Sequence, residues 1–593
     1  MFVLFKLDSI HRWLTEKRKW VRYAYLCAAL TCCFLTLSQL EGQISESIRI
    51  LCYILCIVSW KRMGINSQII KREFDTPIKK ILCIALEAYG TFAMTGMYII
   101  SIDISYTVQY TALVYFLLSF VWVYPIMQNV ITLLIQTGEN THIEQHDVRL
   151  VTRLILMGIT MVPCIVFLIA FNPAITSNDS ALCYLWAHQL GQPEFSMADW
   201  HPPFYVLILY LLVKICDSVS FVVFLQCLYF AAVFVDGALF LYQCGLPKKL
   251  LSVFYCFIAF GISNVIQLVT LWKDIPYMIS LMWLTILLMK FIIKHNKYKV
   301  DWRWHIQFIF AAVFTAFFRQ NGILPAVTVI ILLPAVTRWA KKTLIACIIC
   351  ALLIACIKGP LYQSMNVVPR PQLKFFSLAN DIMYSYYYNG IVSDEAMEMI
   401  NKITENDPEH YGYSAFRVYY NWEEPKDYSV EEFMKIYLRN VWQNPKLAVK
   451  AVLTRNTDIW SIVRPAEEPV SCVNHLDVFN DLGVFPDRKD NVLTCILTVL
   501  CGRLCNNSLL YIFYWRTGIY NLFTMCMAII IWCKDKRKKL LHVFPLIPIL
   551  ANLAALFISS GWTDYRYFWP GMTISLFLFF YFVFVMRTQR VEG

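Results

Sequence analysis

His201-Pro-Pro-Phe-Tyr-Val-Leu-Ile-Leu-Tyr-Leu-Leu-Val-Lys-Ile215 is apolar, opens on two prolines and is short for a crossing. A membrane-spanning helix needs about 20 mostly apolar residues. Whether this stretch crosses sets the side on which every later loop lies. Around it, apolar runs mark crossings near 21–38, 44–60, 81–100, 107–135, 151–171, 218–242, 250–271, 275–294, 303–319, 322–338, 343–358, 517–533, 541–560 and 567–586. Cytoplasmic loops collect Lys and Arg. If Pro203–Ile215 does not cross, 30 of the 52 basic residues fall on one side, and the short loops opposite carry five: Arg49, Lys214, Lys273, Arg319 and Arg566. If it does cross, 16 of those 30, including the run Lys534–Lys539, change sides. The stretch therefore reads as a helix lying on or dipping into the outer face. That leaves about 14 crossings with both termini cytoplasmic.

Composition agrees. The 593 residues are 59% hydrophobic and 16% charged, with a mean hydropathy of +0.54. A soluble domain is about 45–50% apolar and 25% charged. Soluble globular, disordered and fibrous classes are excluded. The net charge of +12 is mostly a topology signal and gives no reason to expect a nucleic-acid partner. Most of the 21 cysteines lie inside apolar runs, where thiols pack as small hydrophobes, and Cys32-Cys33 and Cys501…Cys505 are read the same way. The first apolar run lacks a small-residue cleavage site and reads as a retained helix.

The chain divides into four crossings (1–150), a transmembrane core (151–358) with a first outer loop at 172–217, an extracytoplasmic segment (359–516) and C-terminal crossings (517–593). The 359–516 segment is soluble in character, with Asp394-Glu395, Glu405-Asn-Asp-Pro408, Glu423-Glu424 and Glu431-Glu432, and apolar clusters at 431–453 suggest a small helical cap. No phosphate-binding loop, nucleophile elbow or zinc-protease motif is present.

With sidedness set, the polar residues in apolar surroundings gather at the outer helix ends. The first loop carries Asn178-Asp179-Ser180 and Asp199-Trp200-His201. A tight turn reads Phe318-Arg319-Gln320-Asn321-Gly322, and the last loop reads Asp564-Tyr565-Arg566-Tyr567-Phe568-Trp569-Pro570. Each has a plain structural explanation. Asp179 with Ser180, and Asp199, are the residue types that cap helices. His201 can be a satisfied interfacial residue, Arg319 can snorkel to headgroups, and Asp564 with Arg566 can be a loop ion pair worth under about 1 kcal/mol. The aromatics can form an interfacial belt. Their coincidence on one face favours function. A carboxylate accepts the proton of an attacking hydroxyl, arginines bind phosphate bidentately and stabilise it as a leaving group, and aromatics stack on sugars. Together they describe group transfer from a polyprenyl-phosphate carrier.

Other polar residues carry competing readings. Glu87 and Asp236 lie within apolar spans and would serve a proton or ion relay in a flippase for lipid-linked oligosaccharide. His142 and His146 flank Glu144 at a spacing that can bind metal, and Asn178-Asp-Ser180 fits a glycosylation sequon. A polysaccharide polymerase and a scaffold role are further alternatives.

Asn178-Asp179-Ser180, Asp199-Trp200-His201-Pro-Pro203, Phe318-Arg319-Gln-Asn321-Gly322 and Asp564-Tyr565-Arg566-Tyr567 with Pro570 resemble a bacterial multi-pass family of unknown function. That family is similar to the GT-C superfamily of membrane glycosyltransferases, and the likeness covers about 150–590. It implies a GT-C-like fold, chemistry on the outer face of the bacterial plasma membrane, a polyprenyl-phosphate-linked sugar donor and a glycan or lipid acceptor. It carries the base role onto Asp179, with Asp199 second. Substrate binding falls on Trp200, His201, Arg319, Asn321, Asp564, Tyr565, Arg566 and Tyr567. The chain departs from the pattern by its four leading crossings, by an outer segment placed between crossings, and by lacking an Asp-x-Asp motif. No metal ligand is assigned and no cofactor is certain, a divalent metal being left open.

Overall fold

The computed structural model describes residues 19–40, 44–101, 108–140, 148–295, 301–369, 376–403, 428–464, 476, 480, 482–488, 490–535, 539–560 and 564–592. The described chain is nearly all helix. Helices α1 (Lys19–Ser38), α2 (Glu46–Glu73), α3 (Pro77–Ser101) and α4 (Val108–Asn140) form an N-terminal unit. After it come α5 (Leu150–Ala170), α6 (Asn178–Gln189), α7 (Pro203–Ile215) and α8 (Val219–Gln243). The core continues with α9 (Lys248–Ala259), α10 (Ile262–Leu268), α11 (Asp274–His295), α12 (Trp302–Phe317), α13 (Ile323–Val336) and α14 (Lys341–Ser364, with a π turn at Ile357–Leu361).

Nine described helices are long and apolar enough to cross a membrane, or eleven if two bent pairs each count as one span. The chain is thus a multi-pass α-helical membrane protein. The remaining runs among the fourteen expected crossings are too short, too charged or too bent to count among these nine. In α2, Lys61, Arg62, Lys71 and Arg72 charge the C-terminal half. Helices α12 and α13 are only 16 and 14 residues long. The 250–271 run is the α9–α10 pair, bent by 49°.

Burial sorts the helices. In α11, 89% of the span is buried, against 17% in α14. The exposed side chains of α14 include Ile345, Ile348 and Leu352, and those of α5 include Leu150, Leu154 and Ile155. Apolar side chains turned outward are what a lipid-facing helix needs.

The 359–516 segment contributes α15 (Phe376–Tyr387), α16 (Asp394–Ile403), α17 (Val430–Gln443), α18 (Pro445–Arg455) and α19 (Thr457–Trp460). Ile382, Met383, Met399, Ile400 and Phe433 give α15–α17 a small core of their own. Asp394 and Glu395 open α16, and Glu432 completes a capping box with Ser429 on α17. Glu405, Asp407, Glu423 and Glu424 lie outside the described residues.

The C-terminal end of this segment is a correction. Helices α20 (Val492–Asn506) and α21 (Ser508–Trp515) are apolar and bent by 98°, and they pack among the membrane helices rather than extending the cap. Cys505, expected to be a packing thiol, is disulfide-bonded.

The chain closes with α22 (Gly518–Lys534), α23 (Lys539–Ser559) and α24 (Tyr565–Glu592), against which the N-terminal unit docks. The cap is plugged into this bundle. Asp458 and Arg516 form an ion pair at 2.5 Å, both fully buried, and Arg516 also donates to the carbonyls of Thr457 and Ser461 at 3.1 Å. Asn521 donates to the Ile459 carbonyl at 2.9 Å, and Trp460 packs on Phe92 of α3. Nearby, Arg455 joins Asp381 at 2.9 Å and donates to the Ser560 carbonyl at 2.5 Å. These contacts fix the end of α23 just before the last polar loop.

Candidate functional site

Local hydrogen bonds bring the first loop to the start of α11. Ile175 bridges Thr270, with Ile175 N donating to the Val269 carbonyl at 3.2 Å and Leu271 N to the Ile175 carbonyl at 2.9 Å. Ser177, not Asp179 or Ser180, caps α6, in a capping box with Ser180. The Ser180 hydroxyl, buried, donates to the Leu271 carbonyl. Asp179 is therefore no cap, and its carboxylate is free to face other groups.

Those groups are cations. Lys273 Nζ lies 3.1 Å and Arg566 Nη1 3.2 Å from the same Asp179 Oδ2. Lys273 also donates to His201 Nδ1 at 2.8 Å, which requires the neutral tautomer with the proton on Nε2. Arg566 pairs with Asp564 at 2.9 Å and donates to the Tyr567 hydroxyl at 2.9 Å. Its guanidinium lies 5.0 Å from the Trp272 ring centroid and 4.8 Å from that of Tyr567. The loop pair expected at Asp564–Arg566 is real, but it belongs to a larger network. Burial by itself would raise the Asp179 pKa, yet the charges of Lys273 and Arg566 hold it far below the usual carboxylate range. Burial, then Lys273, push His201 down to about 3.

Arg319 does not snorkel. It pairs through Nε with Asp274 at 3.0 Å and lies over the same Tyr567 ring, 4.2 Å from its centroid. Asp199 is no cap either: α7 begins after Pro202, whose successor Pro203 fills the first helical position. Met197–Ala198 pairs instead in parallel with Val367–Val368, and Asp199 N donates to the Val368 carbonyl at 3.1 Å. Gln320 Nε2 donates to the carbonyls of Asp199 and Trp200, so this loop is tied to the Arg319–Gly322 turn through its backbone. Trp186 meets His201 edge-on at 5.5 Å. Tyr565 stands apart, its buried hydroxyl on Met572 Sδ at 3.4 Å.

The sequence reading thus finds Asp179, His201, Arg319, Asp564, Arg566 and Tyr567 assembled. It misses Trp272, Lys273 and Asp274. By sequence, Lys273 reads only as one of the five basic residues of the short outer loops. The available signal was an adjacent Trp-Lys-Asp at the mouth of an apolar span. Among the described residues no three His, Cys, Asp or Glu side chains gather to hold a metal ion; His142 and His146 lie outside them. Asp236 is paired with Arg153 at 2.9 Å and with Lys290, and Glu87, 2% exposed, receives a Cys83 thiol contact at 3.7 Å.

Two predictions arise here. A histidine whose folded pKa is depressed binds its proton more readily in the unfolded chain, so stability is full above about pH 6.5 and declines as pH falls toward the folded value. Lowering the pH from 7 to 5 should therefore cost on the order of 2 kcal/mol at His201. Thermal unfolding in detergent should show this slope, and His201→Asn, which keeps an acceptor for Lys273, should flatten it. The Asp179 pairs behave separately: their contribution is present above about pH 4 and is lost only below it. In the Arg319 turn, a Cβ on Gly322 would meet the Thr315 carbonyl oxygen at 2.0 Å and Tyr277 at 2.7 Å. Gly322→Ala should lower stability by about 1–3 kcal/mol, as overpacking does, read as a fall in Tm.

No family model matches this chain, and neither a curated protein nor a solved structure does. The class rests on the fold and the site: a multi-pass membrane protein with an ion network at the mouth of its helix bundle.

Proposed function

We propose that this protein is a GT-C-like glycosyltransferase of the bacterial plasma membrane, with about fourteen crossings, both termini cytoplasmic and the capped end outside. It moves a sugar from a polyprenyl-phosphate-linked donor to a glycan, lipid or polymer acceptor of the cell envelope. The observation that carries the reading is Asp179 held between Lys273 and Arg566 at the mouth of an apolar bundle, with Trp272 and Tyr567 beside it. The cations suit a lipid phosphate, the rings suit a sugar face, and lipid-exposed helices suit a polyprenyl tail.

In the resting state this network neutralises itself, and a carboxylate so well paired is a weak base. An arriving phosphate competes for the same two cations. As Lys273 and Arg566 turn to it, Asp179 loses its partners and gains basicity. The acceptor hydroxyl then attacks the anomeric carbon and its proton passes to Asp179. A new C–O bond forms as the bond to phosphate breaks, and that electron pair leaves with polyprenyl phosphate. A single displacement inverts the anomeric carbon. Neutral His201 keeps Lys273 oriented, and Arg566 stabilises the leaving phosphate.

The test is transfer by purified protein in nanodiscs, using radiolabelled polyprenyl-phosphate sugars and envelope-glycan acceptors. Product formation that requires Asp179 and Arg566 supports the reading. Translocation of the lipid-linked sugar without product would identify a flippase instead.

A further inference from the structure

A second group of polar atoms lies one aromatic ring away from the Asp179 network. Asp274 is 1% exposed, and although Arg319 Nε is 3.0 Å from Oδ1, neither carboxylate oxygen accepts a hydrogen bond. Arg319 Nη1 has no acceptor, and neither the carbonyl nor the amino group of the Asn321 side chain has a partner, though all are withdrawn from solvent. The Tyr205 hydroxyl is likewise buried and unpartnered. These groups come from separate elements: the first residue of α11, the turn between α12 and α13, and α7. The Arg319–Gly322 turn is pressed against α11 where Gly322 meets Tyr277. Native proteins satisfy nearly all buried polar groups, because each unmet one destabilises the fold. Several together, at the mouth of a bundle, form a set of donors and acceptors left for a ligand.

The chemistry of the set narrows the ligand. An aliphatic tail satisfies none of these atoms. A phosphate suits Arg319 but is repelled by Asp274. Vicinal hydroxyls fit all of them: they donate to the carboxylate and to Asn321 Oδ1, and accept from Asn321 Nδ2 and Arg319 Nη1. The Tyr567 ring, 4.2 Å from Arg319 and 4.8 Å from Arg566, joins this group to the cations of the Asp179 network.

We infer that Asp274, Arg319 and Asn321 form a sugar subsite that binds the hydroxyls of the glycosyl group carried on a lipid phosphate, while Lys273 and Arg566 hold the phosphate itself. This rests on the phosphate reading above and adds a division of labour to it. Discrimination between bare and glycosylated carriers then resides in Asp274 and Asn321.

The experiment measures binding to the full-length protein in nanodiscs. The probes are polyprenyl monophosphate and a panel of polyprenyl-phosphate hexoses and pentoses. Wild type should bind at least one glycosylated carrier about tenfold or more tighter than the bare carrier, as expected for hydroxyls meeting otherwise unpaired groups. Asp274→Asn and Asn321→Leu should each remove most of that preference and leave bare-carrier affinity within about threefold. Arg566→Ala should weaken both carriers. Asn321→Leu should also raise Tm in the absence of ligand, because it deletes unmet polar atoms. The inference is overturned if no sugar adds affinity in wild type, if both variants keep the preference, or if Asn321→Leu lowers Tm. If bare carrier binds but sugar adds nothing, the sugar subsite alone fails. If bare carrier does not bind wild type, or binds Arg566→Ala equally well, the phosphate reading fails with it.

Discussion

Asp179→Ala is expected to lower sugar transfer by about 10²–10⁴, the range a positioned general base contributes. The loss should fall on kcat more than on KM, because the proposed phosphate contacts come from Lys273 and Arg566. Their role also predicts a contrast. Without Asp179 the two cations lose a resting partner 3.1–3.2 Å away, so the variant should bind bare polyprenyl phosphate at least as tightly as wild type. Tight binding joined to lost turnover would separate a base from a structural anchor. Because the Asp179 side chain is 30% exposed, the accompanying loss of stability should be modest. Wild-type turnover in Asp179→Ala would remove the residue from the mechanism.

Arg516→Ala should have the largest effect on folding. The Asp458–Arg516 pair has no exposed side-chain surface, and its loss strands a carboxylate beside the carbonyls of Thr457 and Ser461. Breaking a buried pair from one side costs about 3–5 kcal/mol. The expected result is a sharp drop in monodisperse protein after detergent extraction. Replacing both partners with apolar side chains, Asp458→Leu with Arg516→Met, should recover much of the yield, since it leaves no orphaned charge. Equal losses in the single and double variants would show instead that the ions themselves are needed to seat the plug.

Much of the bundle was legible because hydropathy reports helices such as Leu150–Ala170 and Asp274–His295 directly. The α20–α21 pair was not. Its run is interrupted by Arg503 and by Asn506-Asn507, and a search for straight crossings leaves such a bent segment to the adjoining soluble part. At the site, Asp179, Arg319 and Arg566 stood out as charges at the mouths of apolar runs. Lys273 and Asp274 have the same character, but their meaning depends on the Ile175–Thr270 bridge, a contact between distant segments that local pattern does not encode. Capping shows the same limit. Ser177, Asp179 and Ser180 are all plausible caps by residue type, and only the backbone geometry gives the position to Ser177.

The central claim is that the network around Asp179 receives a lipid phosphate. A structure of the nanodisc-embedded protein with polyprenyl phosphate tests it most directly. The account predicts phosphate density in contact with Lys273 and Arg566, Asp179 released from at least one of them, and the tail running along the lipid-facing helices. Phosphate held elsewhere, for instance within the N-terminal unit near Glu87, with the Asp179 pairs intact, would contradict it.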